Sequence, residues 1–441
     1  MAEKAQVYAE SFAKLIKVPT VTNSDRKNFA AFRKVLAEEF PAVYSACEVI
    51  MPGGEGSDAL MFKWKGRSSD RPVVLMAHQD VVPAVDGDWK YPPYSATVAD
   101  GKIWGRGTMD CKNTLFCTIR SVNELIEEGF TPAQDVYLCY SDNEETSGHG
   151  AAYCRDWLTA HGVKPAVAID EGGAIVEEAF PGMTKPFAMV GIIEKGYCDV
   201  KFVARSKGGH SSSPPKHTPF ARLAEFINYC ETHTVFKPRM TTAARDMLKG
   251  LSSGLTGALA FVTRHVDFFK PLIVAVLPKL TPFGSALLGT TMTFTMAQGS
   301  AAPNVIPQAA SVVANLRFAP GDDSKECIEK LRRIAERYDI ETEVMECRDA
   351  TPMVDVNSAD YKYFVDTVAR VFPDCGAAPY LIFGGTDCRT MQTITPCALR
   401  CTPCKLSAEQ LASMHAANEN IDISSLVGGV AFFKTYLKGY K

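Results

Sequence analysis

Short apolar runs that stop on ligand-type residues recur along the chain. Val73 to Ala77 is uninterrupted apolar sequence and ends in His78-Gln79-Asp80. Such a run predicts a short buried strand. Val136 to Tyr140 predicts a second, ending in Ser141-Asp142-Asn143-Glu144-Glu145. Val167-Ala168-Ile169 predicts a third, ending in Asp170-Glu171-Gly172-Gly173. Leu115, Ile119, Val122 and Ile126 fall at helical spacing, which puts Asp110 just ahead of a helix. A carboxylate is favoured there by the exposed amides and the helix dipole, whatever else it does. Residues 6–17 and 25–40 read as helices, the first stopped by Pro19.

The pattern then changes. Asp199 to Ala204 alternates as a half-exposed strand and leads to Gly208-Gly209-His210-Ser211. A helix follows with Leu223, Phe226, Ile227 and Cys230 on one face. Thr293–Met296 and Ser311–Phe318 read as strands, Ile328, Leu331, Ala335 and Tyr338 mark a helix, and Ile340–Glu346 is a last strand. Strand–helix–strand–strand–helix–strand predicts a small α+β, ferredoxin-like unit. It takes residues 194–349 and interrupts an α/β domain made of 1–193 and 350–441. Within it, about 235–290 is apolar and broken by prolines (Phe261, Phe268, Phe269, Leu272, Ile273, Val276). This segment predicts helices packed on the small domain; its other reading is a greasy wall for a substrate or a partner subunit. After Thr351-Pro352 the first rhythm returns. A strand at Tyr380–Phe383 leads to Gly384-Gly385-Thr386-Asp387-Cys388-Arg389, and Met414-His415 precedes a last, apolar helix from about Ser424.

A chain of 441 residues exceeds one ordinary core, in line with two domains. Its net charge of -3 offers no basic footprint for nucleic acid or a membrane surface. The longest apolar stretch, Pro271 to Leu288, is interrupted by Pro278, Lys279 and Pro282, too broken for a spanning helix. The N-terminal residues run into an amphipathic pattern, not a leader. With 14 cysteines scattered through apparent elements, the expectation is a cytoplasmic protein with reduced thiols. Cys401 and Cys404, with Cys397 nearby, form a C-x-x-C pair suited to zinc or redox chemistry. No fourth cysteine is near, and the strand–helix setting of a thiol redox protein is missing, so they read as ordinary thiols.

His78, Asp110, Glu145, Asp170 and His415 supply two imidazoles and three carboxylates. That set suits two divalent ions such as zinc, about 3.5–4 Å apart and bridged by one carboxylate. Asp110 is the bridge because it has no symmetric counterpart. His78 pairs with Asp170 and His415 with Glu145. Glu144 is left over as general base for the attacking water. A catalytically dead scaffold is the rival class, but no member of the set is missing.

The motifs Met76–Asp80, Gly105–Lys112, Glu144-Glu145, Asp170–Gly173, Gly208–Ser212, Asn304-Val305-Ile306-Pro307, Gly385–Arg389 and His415–Asn420 cover nearly the whole chain. In that order they resemble the co-catalytic di-zinc hydrolases: carboxypeptidases G and S, aminoacylase, acetylornithine deacetylase and succinyl-diaminopimelate desuccinylase. The apolar lid segment and Asp-Glu-Gly-Gly are most similar to the carboxypeptidase S branch. The resemblance implies a zinc-exopeptidase-type three-layer catalytic domain with an inserted lid and dimerisation domain. It implies two zinc ions per chain, with cobalt or manganese as substitutes, on the five residues above. It also implies that Asp80 orients His78, that Glu144 is the base, and that His210 stabilises an oxyanion, often in the neighbouring subunit of a homodimer. Asn304 and Arg389 would hold the substrate's carboxylate, a task suited to the guanidinium fork. The expected reaction is carboxypeptidase cleavage of small peptides, with aminoacylase action on N-acyl amino acids as the alternative. Asn143 stands where many relatives carry aspartate, and Thr390 where the carboxypeptidase S branch usually carries histidine.

Overall fold

The computed structural model describes residues 2–84, 88–180 and 182–441. An eight-stranded mixed sheet runs in the spatial order Glu48–Ile50, Leu60–Trp64, Gln134–Ser141, Ser68–His78, Val167–Val176, Cys397–Leu406, Phe187–Glu194, Gly376–Ile382. Ser68–His78 sits parallel between Gln134–Ser141 and Val167–Val176. All three strands therefore run toward the same edge, where Ser68–His78 and Gln134–Ser141 stop and where the pairing of Val167–Val176 with Ser68–His78 ends at Ile169, which gathers the residues that follow.

Both faces of the sheet are covered, which explains why its strands read as continuous apolar runs. Val73, Leu75 and Ala77 point into one core with Phe116, Ile119 and Phe433, from the helices Lys112–Glu127 and Ile423–Gly439. Val74 and Met76 point to the other face, against Cys154 and Leu158 of the helix Gly150–Ala160. The result is a three-layer α/β domain.

The lid is a four-stranded antiparallel sheet in the order Thr291–Gln298, Ala309–Phe318, Gly196–Arg205, Ile340–Arg348. Cys198, Val200, Phe202 and Ala204 alternate inward against Leu223 and Phe226 of the helix Pro219–Thr232 and Leu331 of Ser324–Glu336. The chain crosses from one sheet to the other within Glu194-Lys195-Gly196 and returns at Arg348–Thr351. The crossings lie side by side: Thr351 N donates to Glu194 O at 3.1 Å, and Glu194 N to Thr351 Oγ1 at 2.9 Å.

Most of the apolar segment of 235–290 packs away from the lid, not on it as its sequence position suggested, while its start, Val235 and Phe236, stays with the lid core. Ala243, Ala244, Met247, Leu248 and Leu251 of the helix Thr242–Leu251 belong to the catalytic core, as do Ile273, Leu287 and Leu288. The cause is the sheet's last strand, Gly376–Ile382. An uncovered edge strand needs protection, and the helix lies so close that a Cβ on Gly250 would sit 2.9 Å from Ala378 Cβ. The lid's longest excursion thus returns to the domain it interrupts.

Candidate active site

The edge shared by the three parallel strands brings His78, Asp110, Glu144, Glu145, Asp170 and His415 together. Asp110 occupies the centre. Its Oδ1 lies 2.9 Å from His78 Nε2 and its Oδ2 2.9 Å from His415 Nε2. His415 Nε2 is also 3.2 Å from Glu145 Oε2. His78 Nδ1 lies 2.9 Å from the carbonyl of Asp80 and 3.4 Å from its carboxylate, which leaves Nε2 facing Asp110. Asp80 reaches further: its two oxygens accept from the backbone amides of Glu144 and Glu145 at 3.1 and 3.2 Å. One buried carboxylate therefore positions the first histidine and both glutamates.

Asp170 is buried just past Ile169, where its strand's pairing with Ser68–His78 stops, one oxygen accepting from Glu171 N at 2.9 Å. The tightest ligand groupings among the described residues are Asp110, Glu145 and His415, and His78, Asp110 and Cys111. Asp170 stands outside both, whereas the sequence paired it with His78. The Cys111 thiol comes in because its Sγ accepts from His78 N at 3.1 Å.

Carboxyls crowd this edge: Asp80, Asp110, Glu144, Glu145, Asp170, Glu171 and Asp387. Burial pushes Glu144 well above the ordinary glutamate range, with Asp387, Asp110 and Glu145 adding to the effect. Burial likewise lifts Asp170 to about 6, and burial with the Asp170 charge lifts Asp387 to about 7. Burial acts on Asp110 in the same sense, but hydrogen bonds from His415 and His78 outweigh it and hold this carboxyl below its usual range. Hydrogen bonds to Asp110 and Glu145 push His415 up to about 10. Glu145 Oε1 and Asp170 Oδ2 are buried without any hydrogen-bond partner. Orphaned carboxylate oxygens among like charges and imidazoles fit divalent cations, which would offset the repulsion and take up the free oxygens.

Loop chemistry shapes the Glu144–Thr146 turn. Asn143 Oδ1 accepts from Gly150 N at 2.9 Å, and a Cβ on Gly148 would sit 2.1 Å from Asn143 Cγ, so the asparagine side chain fills the space that Gly148 leaves. Asp110 is held by a residue the sequence reading did not assign. Glu419, fully buried, accepts from Met109 N at 2.7 Å and Asp110 N at 3.3 Å through one oxygen. Its other oxygen takes Gly107 N at 3.1 Å and Arg106 Nη1 at 2.5 Å.

Beside the cluster lies a cleft of about 430 Å³ whose lining includes Glu144, Glu145 and His415 together with Arg389, Arg317 and Arg348. Arg389 donates to Glu194, while its Nη1 is buried and unpaired. Arg317 and Arg348 come from the lid sheet, and their guanidinium carbons lie 4.7 and 4.9 Å from the Tyr197 ring. The sequence reading missed both. The only signal was a charged residue within an alternating strand.

Asn304 and His210 are neighbours of each other, not of this cleft. Gly209–His210 pairs with Val305–Ile306, and Ser211 N donates to Asn304 O at 3.0 Å. Both side chains are exposed on the lid. His210 Nδ1 accepts from Ser212 N at 3.2 Å, which places the ring proton on Nε2 and presents a donor outward. Cys397, Cys401 and Cys404 lie on a central strand, buried in the core, and burial keeps the Cys401 thiol protonated.

Residues 74–439 match the family described as Peptidase family M20/M25/M40. The chain belongs to this family. It is 29% identical over 437 residues to the human N-fatty-acyl-amino acid synthase/hydrolase PM20D1, across 98% of this chain and 87% of that protein. The probable carboxypeptidase S-like 2 of Dictyostelium discoideum is 30% identical over 418 residues, 93% of this chain and 79% of the relative. Among solved structures, the M20 family metallo-carboxypeptidase Sso-CP2 from Sulfolobus solfataricus matches with a TM-score of 0.73 at 18% identity, over 98% of each chain. The chain thus has the M20 fold and is an M20-type metallohydrolase.

Proposed function

We propose that this M20 protein hydrolyses the amide bond between an acyl group and an amino acid with a free carboxylate. One observation carries the reading: three guanidinium groups line the cleft that also holds Glu144, Glu145 and His415. An α-carboxylate gripped by Arg389 through its free Nη1 would leave the neighbouring amide against the carboxylate–imidazole cluster. Two zinc ions, or cobalt or manganese in their place, would be held by His78, Asp110, Glu145, Asp170 and His415, and would polarise the carbonyl and activate water.

Glu144 takes the proton of the attacking water and returns it to the departing amine. Burial suits it to this, because it raises the carboxyl's proton affinity and so strengthens it as a base. Asp80 fixes the backbone from which Glu144 projects. His210 and Asn304, exposed together on the lid, act on a neighbouring subunit's cleft in a homodimer, where the His210 Nε2 proton meets the developing oxyanion.

Small peptides and N-acyl amino acids share this chemistry, and relatives named for each resemble the chain about equally. The test is metal analysis of protein purified without chelator, followed by hydrolysis assays on dipeptides, N-acyl amino acids and their C-terminal amides. The expected result is two metal equivalents and turnover of free acids only. Equal turnover of acids and amides would overturn the reading.

A further inference from the structure

Three pairs of thiols meet within the fold. Cys117 and Cys404 lie with their sulfurs 4.0 Å apart in the catalytic core, and Cys139 and Cys154 share a hydrogen bond on the opposite face of the sheet. All four are buried. The third pair belongs to the lid. Cys198 and Cys347 face each other directly on the antiparallel strands Gly196–Arg205 and Ile340–Arg348. Of the 14 cysteines, Cys347 alone is exposed, and Cys198 lies fully buried behind it.

Directly opposed residues of an antiparallel pair have Cα atoms about 4.5–5.5 Å apart and side chains on one face. Disulfides span about 4.4–6.8 Å between Cα atoms, so this register allows a bond between the two sulfurs without a shift of either strand along the other. The thiols already meet: after burial, a hydrogen bond with Cys347 is what pushes the Cys198 thiol up. Ile340–Arg348 is also an edge strand, with a bulge between Val344 and Glu346 and with Val344 and Met345 exposed. A strand paired on one side only, with little apolar cover, opens more readily than the strands inside its sheet. An oxidant in solution therefore reaches this pair and not the other two.

We propose that Cys198 and Cys347 form an oxidation site, which hydrogen peroxide converts to a disulfide that staples the lid's edge strand to its neighbour. Cys347 reacts first, because Cys198 is shut away from solvent. Its sulfur takes one peroxide oxygen as a sulfenic acid, and the other oxygen leaves as water. The Cys198 sulfur then displaces the sulfenic oxygen as a second water and closes the S–S bond. Two thiols lose two electrons and two protons, and one peroxide becomes two waters. A dithiol reductant reverses the step by exchange. The bond falls where the chain enters and leaves the lid. Tyr197 and Arg348, each next to one of the cysteines, are themselves opposed partners and line the arginine cleft, with the Arg348 guanidinium carbon 4.9 Å from the Tyr197 ring. The staple therefore fixes the strand ends that carry this wall of the cleft, whichever substrate the cleft takes.

The test treats the full chain with hydrogen peroxide, alkylates the remaining thiols and digests it without reductant. Mass spectrometry should find one linked peptide pair, Cys198 to Cys347, lighter than the separate peptides by the mass of two hydrogens, with Cys117, Cys404, Cys139 and Cys154 alkylated only after unfolding. Amide hydrogen exchange across Ile340–Arg348 should slow at least about tenfold on oxidation and return to its first rate with dithiothreitol. Cys347→Ser, a change at an exposed position, should show neither the link nor the slowing. Cys198→Ala should leave the Cys347 sulfenic acid open to trapping by dimedone. A sulfinic acid at Cys347 of the unmodified protein, with Cys198 still a free thiol, would overturn the site. A linked pair with unchanged exchange across the strand would overturn the staple.

Discussion

Arg389 is held at the cleft by Glu194: its Nε donates to Glu194 Oε2 at 3.1 Å, and its Nη2 lies 2.9 Å from the same oxygen. Glu194 is fully buried and also binds Arg400, whose Nε is 2.7 Å from the other carboxylate oxygen. One carboxylate therefore answers two guanidiniums, and Arg389 keeps one arm for a ligand. Losing a charge-assisted contact costs about 1.5–3 kcal/mol, roughly ten- to hundredfold in kcat/KM. Arg389→Ala should lose that much on free-acid substrates and almost nothing on the corresponding amides. Equal losses on both would remove Arg389 from substrate binding.

Glu144→Gln keeps the size of the side chain but cannot carry the proton. Turnover should fall at least about 10²-fold. Metal content, read by elemental analysis, should stay at the wild-type level. Activity near wild type would pass the base role to another carboxyl.

The Arg106–Glu419 pair is 3% and 0% exposed. Removing one member of a buried pair leaves the other uncompensated, at a cost of about 3–5 kcal/mol. Glu419→Ala should lower the urea midpoint accordingly. It should also weaken metal retention, because Met109 N and Asp110 N lose their acceptor. A stability change below about 1 kcal/mol would show that the pair does not hold this loop.

His210→Ala and Glu144→Gln chains, each inactive alone, should regain part of the activity when unfolded together and refolded as mixed dimers. The motive is the exposed His210–Asn304 pair, which lies outside the cleft of its own chain. No recovery in mixtures shown to contain heterodimers would confine His210 to its own chain or to no role.

Lys195 is buried where the chain passes between the sheets, its Nζ donating to Ala286 O at 3.0 Å and Gly289 O at 2.7 Å. Burial, with the Arg317 charge, lowers it to about 8 from 10.5. Between those values the unfolded chain binds more protons than the folded one, so this group's contribution to stability rises with pH. It is least favourable below pH about 8. Wild type should therefore gain about 1–3 kcal/mol relative to Lys195→Met between neutral pH and pH about 10. Parallel urea midpoints for the two proteins across that range would refute the assignment.

The strands that lead to His78, Glu144 and Asp170 were legible because strands covered on both faces leave uninterrupted apolar runs. Half of the sheet was not. Cys397–Leu406 carries Arg400 and Pro403 in a central strand and was read as a cysteine cluster. Phe187–Glu194 is apolar up to a terminal glutamate and went unmarked. The lid's βαββαβ order was legible from its alternation. The covering helices of 242–288 were legible as helices but not in place, because periodicity shows that a face is buried and not what buries it. Glu194, Lys195 and Glu419 act through partners 91 to 313 residues away, and a charge whose partner is supplied by the fold looks like any surface charge in sequence.

The covering segment also bears on how products leave. The arginine cleft takes Tyr197, Arg317 and Arg348 from the lid sheet and Glu144, Asp387 and Arg389 from the catalytic domain, so it lies between the two. The lid sheet is tied to the rest at the adjacent crossings Glu194–Gly196 and Arg348–Thr351 and also at both ends of the covering segment, before Thr242 and after Leu288, so that segment limits how far the arginine cleft can open to release a product.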